Sequence, residues 1–123
     1  MHLNPLKPRK ALNKAFLKVK PRRSDIEAFK QHLITLLDRI NEAESEEFHK
    51  NLVSDFLKDT YYKQHHVINT KGRNDLVIHN GPNAQTPVAV IVEAKKPTNK
   101  AEMLSTRKVN VKAFLELELY YLR

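Results

Sequence analysis

The sequence contains no cysteine and only two glycines among its 123 residues. Without cysteine there can be no disulfide and no thiolate metal site. Gly72 and Gly81 alone cannot build a glycine-rich phosphate cradle, so an ATP-driven motor is not encoded here. No apolar run approaches the roughly 18 residues of a membrane span, and the first residues lack the apolar core of a signal peptide. A soluble, cytoplasmic protein with no membrane partner is the expectation. Residues 1 to 23 also lack any Asp or Glu, while holding Lys7, Arg9, Lys10, Lys14, Lys18, Lys20, Arg22 and Arg23. This segment supplies the whole net charge of +8. A basic arm on a neutral body suits a polyanion, because each phosphate contact releases counterions. A solvated tail is the plain alternative.

What is present fits one domain, since about two-thirds of the unfolded surface of a chain this long can be buried. Pro5, Pro8 and Pro21 interrupt the arm, where Phe16, Leu17 and Val19 could dock as an edge strand or a short helix. Ser24-Asp25-Ile26-Glu27 reads as a capping box. Ile26, Phe29, Leu33, Leu36, Leu37 and Ile40 then recur every three or four residues, which predicts an amphipathic helix ending near Asn41. A second helix is predicted from about Glu44 to Thr60, with Phe48, Leu52, Val53, Phe56 and Leu57 on its apolar face.

The period then falls to two. His66–Asn69 and Asp75–Asn80 read as strands, the second closed by Gly81-Pro82. The almost unbroken apolar run Val88–Ala94 predicts a central strand covered on both faces. From about Asn110 the spacing of Val111, Phe114, Leu115, Leu119 and Leu122 is again helical. No glycine, proline or polar tail closes that helix before Arg123, which suggests a fragment of a longer chain. Tyr61-Tyr62 and Tyr120-Tyr121 read as packing anchors, and His65, His66 and His79 as structural histidines.

The chemistry lies at two strand ends. If the last two strands form a hairpin, Asp75 at the start of one lies beside Glu93 at the end of the other. Residues two apart in a strand share a face, so Glu93 and Lys95 would project together towards Asp75. Two carboxylates are hard-oxygen ligands suited to Mg²⁺, with Mn²⁺ a second possibility. A neighbouring lysine can orient or deprotonate a water, or stabilise charge on a phosphate. Strand-end charges and a surface lysine are the bland reading of the same residues. Lys96, Asn99 and Lys100 follow directly and, with Arg73, are candidates for contact with a nucleic-acid backbone, a solvated turn being the equal competitor.

Asn74-Asp75, the apolar strand and Glu93-Ala94-Lys95 resemble the signature of the PD-(D/E)xK nuclease superfamily. Four longer strings extend the likeness: E-S-E-E-F-H-K-N-L-V-S-D-F-L-K-D-T-Y-Y, I-N-T-K-G-R-N-D-L-V-I-H-N, V-I-V-E-A-K-K-P-T-N-K-A-E-M and A-F-L-E-L-E-L-Y-Y-L-R. Together they resemble the amino-terminal endonuclease segment of type IIG restriction–modification enzymes, over roughly residues 11 to 123. The resemblance implies that Asp75 and Glu93 bind the metal and that Lys95 assists the attacking water. It also implies a further helix carboxylate, Glu47 or Glu46, and double-stranded DNA as partner. Methyltransferase and target-recognition domains would lie in a longer parent chain. Two departures stand out: Asn74 replaces the motif's proline, and Leu115 stands where relatives tend to carry glutamine. The expected fold is α/β and restriction-endonuclease-like, a small central sheet flanked by helices, with a basic arm over 1–23 and a nuclease domain over 24–123. The expected activity is Mg²⁺-dependent hydrolysis of DNA, the alternative being a non-catalytic DNA-binding or assembly module.

Overall fold

In a computed structural model, which describes residues 4–122, the chain forms four helices and one antiparallel sheet. Helix α1 (Pro8–Ala11) and a 3-10 turn at Phe16–Lys18 lie in the arm, and every described arm residue is exposed. Phe16 and Val19 are about two-thirds exposed, so these apolar residues dock on nothing within the described chain. Residues 1–3 of the expected arm lie outside the description.

Helix α2 (Arg23–Asp38) starts a residue before the expected Ser24 cap. Arg22 is the cap, and the Asp25 carboxylate accepts both its backbone N–H and its guanidinium. The Ser24–Glu27 capping box is therefore replaced by an Arg22–Asp25 pair, where Pro21 has already fixed the approach of the chain. The expected apolar stripe is only partly covered. Leu33 and Leu36 are half-buried, whereas Ile26, Phe29, Leu37 and Ile40 are exposed. Phe29 meets Phe56 edge-on, and His32 bonds Thr60 at 3.1 Å.

Helix α3 (Glu46–Leu57) is started by Ser45, whose hydroxyl accepts the Phe48 N–H at 3.0 Å. Ser45→Ala should lower stability by about 1 kcal/mol in chemical denaturation, as loss of such a cap usually does. The helix passes into a π turn at Lys58–Tyr62, which the helical spacing did not signal. That turn sets Tyr62 against the core, while Tyr61 is left more than half exposed. Of the four tyrosines, Tyr62 is an anchor and the strongly exposed Tyr61 and Tyr121 are not.

The sheet is a meander in the order β1 (Ile68–Lys71), β2 (Asn74–His79), β3 (Val88–Val92). Lys71 pairs with Asn74 across a two-residue turn. Gly72 holds φ +63° there, and no non-glycine residue among the described residues has positive φ, which is the II′ pattern that suits hairpin twist. Ile68, Leu76 and Ile78 make the core, packed against Val53, Leu57, Tyr62 and Val92. His79 is fully buried, one ring nitrogen on the Thr86 carbonyl and the other on the Asn69 side chain. That settles it as a structural histidine. In contrast with the expectation for Val88–Ala94, β3 is an edge strand, and Val90 is 43% exposed. An apolar run shows that a strand can be covered, not that this chain covers it. Helix α4 (Lys112–Tyr121) packs beside β3, with Leu122 as its cap. Arg123, where a stop within the helix was expected, lies outside the described residues. Among the described residues no helix is long and apolar enough to cross a membrane.

Candidate functional site

The β2–β3 register fixes the site. Leu76 pairs with Val92 and Val77 with Ile91, so one further step sets Asp75 opposite Glu93. The Asp75 carboxylate accepts the Ala94 N–H at 2.9 Å, which ties the end of β3 to the start of β2. Lys95 turns back onto Glu93, and its ammonium donates to the Glu93 carboxylate. The three residues expected from the strand pattern therefore stand together.

Two further acids complete the cluster. Glu116, on α4, accepts from the Lys95 Nζ at 3.0 Å. Glu46, at the start of α3, approaches the same Nζ at 3.9 Å and accepts the Lys96 N–H at 3.1 Å. Of the two helix carboxylates considered, Glu46 faces the site, whereas Glu47 pairs with Lys50 and is mostly exposed. Glu116 escaped the sequence reading, which dwelt on Leu115 beside it; Leu115 itself is half exposed. A usable signal was there: a strand-end lysine needs counter-charge, and Glu116 is one of the two acids of the closing helix. Among the residues considered for DNA contact, Lys100 and Arg73 are exposed and Asn99 is half-buried in a turn onto Lys96. The half-buried Lys96 is held by its backbone to Glu46.

Burial sets the electrostatics. The Lys95 and Glu93 side chains are only 5% and 7% exposed. Loss of water pushes the Glu93 carboxyl up to about 7, with the nearby Asp75 adding to the rise and the Lys95 ammonium opposing it. Burial alone would lower the Lys95 ammonium, but its bonds to Glu93 and Glu116 outweigh that and raise it. Glu116 is lowered, chiefly by its bond to Lys95. Lys95 is thus a firmly held cation, suited to stabilising negative charge and ill-suited to taking a proton.

Among the described residues no three His, Asp or Glu side chains stand close enough to enclose a metal ion as they are. Mg²⁺ does not need such a cage, since it commonly binds through one or two carboxylates and completes its shell with waters and phosphate oxygens. Asp75 and Glu93 fit that donor set.

A family model described as "Domain of unknown function (DUF7149)" matches residues 6–123. No curated protein and no solved structure matches the chain.

Proposed function

The chain belongs to the DUF7149 family, and from its own side chains we propose that it is a metal-dependent DNA endonuclease domain of the PD-(D/E)xK kind, acting like the cleavage part of a type IIG restriction enzyme. The observation that carries the reading is the convergence of Asp75, Glu93 and Lys95 at one end of a hairpin, from positions up to 20 residues apart. Strand-end charges have no packing reason to be buried. Taking a lysine and a glutamate out of water is costly unless something is gained from it.

In this reading Asp75 and Glu93 hold Mg²⁺ or Mn²⁺, and Glu46 steadies the loop after β3 through the Lys96 N–H. The bound metal would supply a polarised phosphate and a more acidic water. Lys95 contributes a fixed positive charge where negative charge builds on the phosphate, aimed by Glu116. Hydrolysis adds the water oxygen to phosphorus and breaks one ester P–O bond, the departing alkoxide taking up a proton. The exposed basic arm would grip the duplex through phosphates, and so without reading bases.

The test is nicking of supercoiled plasmid in Mg²⁺ or Mn²⁺, beside Lys95→Ala and Glu93→Gln. Cleavage by the parent chain and its loss in both variants, each shown to be folded by circular dichroism, is the expected result. Absence of cleavage by the parent, with salt-sensitive DNA binding retained, would leave a non-catalytic binding module instead.

A further inference from the structure

A depression of about 520 Å³ lies between the β1–β2 turn, β3 and α4, outside the Lys95 cluster. Lys71, Arg73, Asn74, Val88, Ile91 and Tyr120 line it. Its size is that of a small-molecule site. Two cations and no acid border it, and among the described residues neither Lys71 nor Arg73 has an ion-pair partner. Gly72 explains why the cations sit here, since its positive φ makes the tight turn that lifts Lys71 and Arg73 to its rim. Tyr120 takes part in no aromatic pair among the described residues.

The depression is aligned with the candidate active site in two independent ways. Ile91 on β3 lies two residues before Glu93, which directly follows the strand, so in extended backbone both face one side of the sheet, about 7 Å apart. Tyr120 lies four residues after Glu116 on α4, so both share one helix face, about 6 Å apart along the axis. Glu116 touches Lys95. Strand and helix thus run from the Lys95 cluster to the depression in about one step of a nucleotide chain.

We propose that this depression is a subsite for an unpaired nucleotide next to the scissile phosphate, with Lys71 and Arg73 on its phosphate and Tyr120 stacked on its base. The assignment rests on the nuclease reading for the choice of DNA as ligand. Stacking on a tyrosine needs a free base face, which a paired and stacked duplex base does not offer. Within a duplex substrate such a base is one extruded or frayed beside the cut, as a negatively supercoiled plasmid supplies.

The experiment is fluorescence anisotropy of a labelled single-stranded oligonucleotide and of its duplex, in EDTA, with the full chain. Tyr120→Ala is expected to weaken single-strand binding by about 5- to 100-fold and to leave duplex binding unchanged. Tyr120→Phe keeps the ring and should bind like the parent. Lys71→Ala and Arg73→Ala should each flatten the salt dependence of single-strand binding by about 0.7 in log–log slope. If Tyr120→Ala unfolds the chain, Tyr120→Leu, which keeps apolar bulk without a stacking ring, takes its place. Single-strand binding indifferent to the ring, or an equal loss for duplex, would overturn the assignment. Because binding in EDTA needs no metal, the outcomes separate. Tyr120-dependent binding without nicking would sink only the catalytic reading, and nicking with ring-independent binding would sink only the subsite.

Discussion

Glu93→Gln should abolish cleavage, and in the parent chain the Mg²⁺ requirement should climb steeply as the solution is acidified through neutrality. The glutamine keeps the shape of the side chain and removes the charge a hard cation needs. With about 3 kcal/mol of charge stabilisation lost, the rate should fall on the order of a hundredfold or more. The pH effect follows from burial. The folded chain holds the Glu93 proton up to about pH 7, well above the usual carboxylate range. Metal must displace that proton, so apparent affinity should drop about tenfold per pH unit below the midpoint and level off above it. The sign for folding runs in parallel. A raised carboxyl contributes stability that is fully present below its unfolded value of 4.5 and is lost as the pH rises through about 7. Glu116, whose carboxyl is lowered, has the opposite sign and is lost on acidification. Metal titrations of nicking at about pH 6 and pH 8 check the first claim. An Mg²⁺ requirement unchanged across that range would mean that Glu93 is not a ligand.

The residues most legible from sequence were those whose placement depends on local periodicity. Asp75 and Glu93 meet because the two strands pair as a hairpin with Leu76 opposite Val92, and the change of period near His66 marks where the sheet begins. Ser45 was overlooked as a cap because its helix was given an earlier start, at about Glu44. Glu116 and Glu46 were harder for a different reason. Each reaches Lys95 from a helix 21 or 49 residues away in sequence, and no local pattern records that distance.

Apolar composition misled in a related way. Val88–Val92 has the residues of a doubly covered strand, yet only β2 pairs with it in the described chain. The stripe on α2 gave the helix correctly and said nothing of what covers it, and much of it faces outward. Periodicity reports what a segment can bury. What it does bury is decided by elements elsewhere, which is why the strand order and the exposure of these faces needed coordinates.

Lys95→Ala should destabilise the chain by about 3–5 kcal/mol at pH 8, and by clearly less at pH 5.5. The ammonium is the cation that reaches Glu93, Glu116 and Glu46 together, and its side chain is almost wholly enclosed, whereas the exposed Lys112 approaches only Glu116 of these. Its removal leaves Glu93 buried without a counter-charge, which is costlier than losing the pair together. Protonation offers a way out. Without the ammonium, the Glu93 carboxyl should rise above its present value of about 7, so acid neutralises the uncompensated charge and lessens the damage. A second way out is a cation from solution. Mg²⁺ should raise the unfolding midpoint of Lys95→Ala by more than that of the parent, because the lysine no longer competes for the Glu93 oxygen. Urea titrations at the two pH values, with and without Mg²⁺, separate these contributions. A loss of stability equal at both pH values and insensitive to Mg²⁺ would show that Lys95 supports the fold through its buried stem alone, and the argument for an electrostatic site would fall with it.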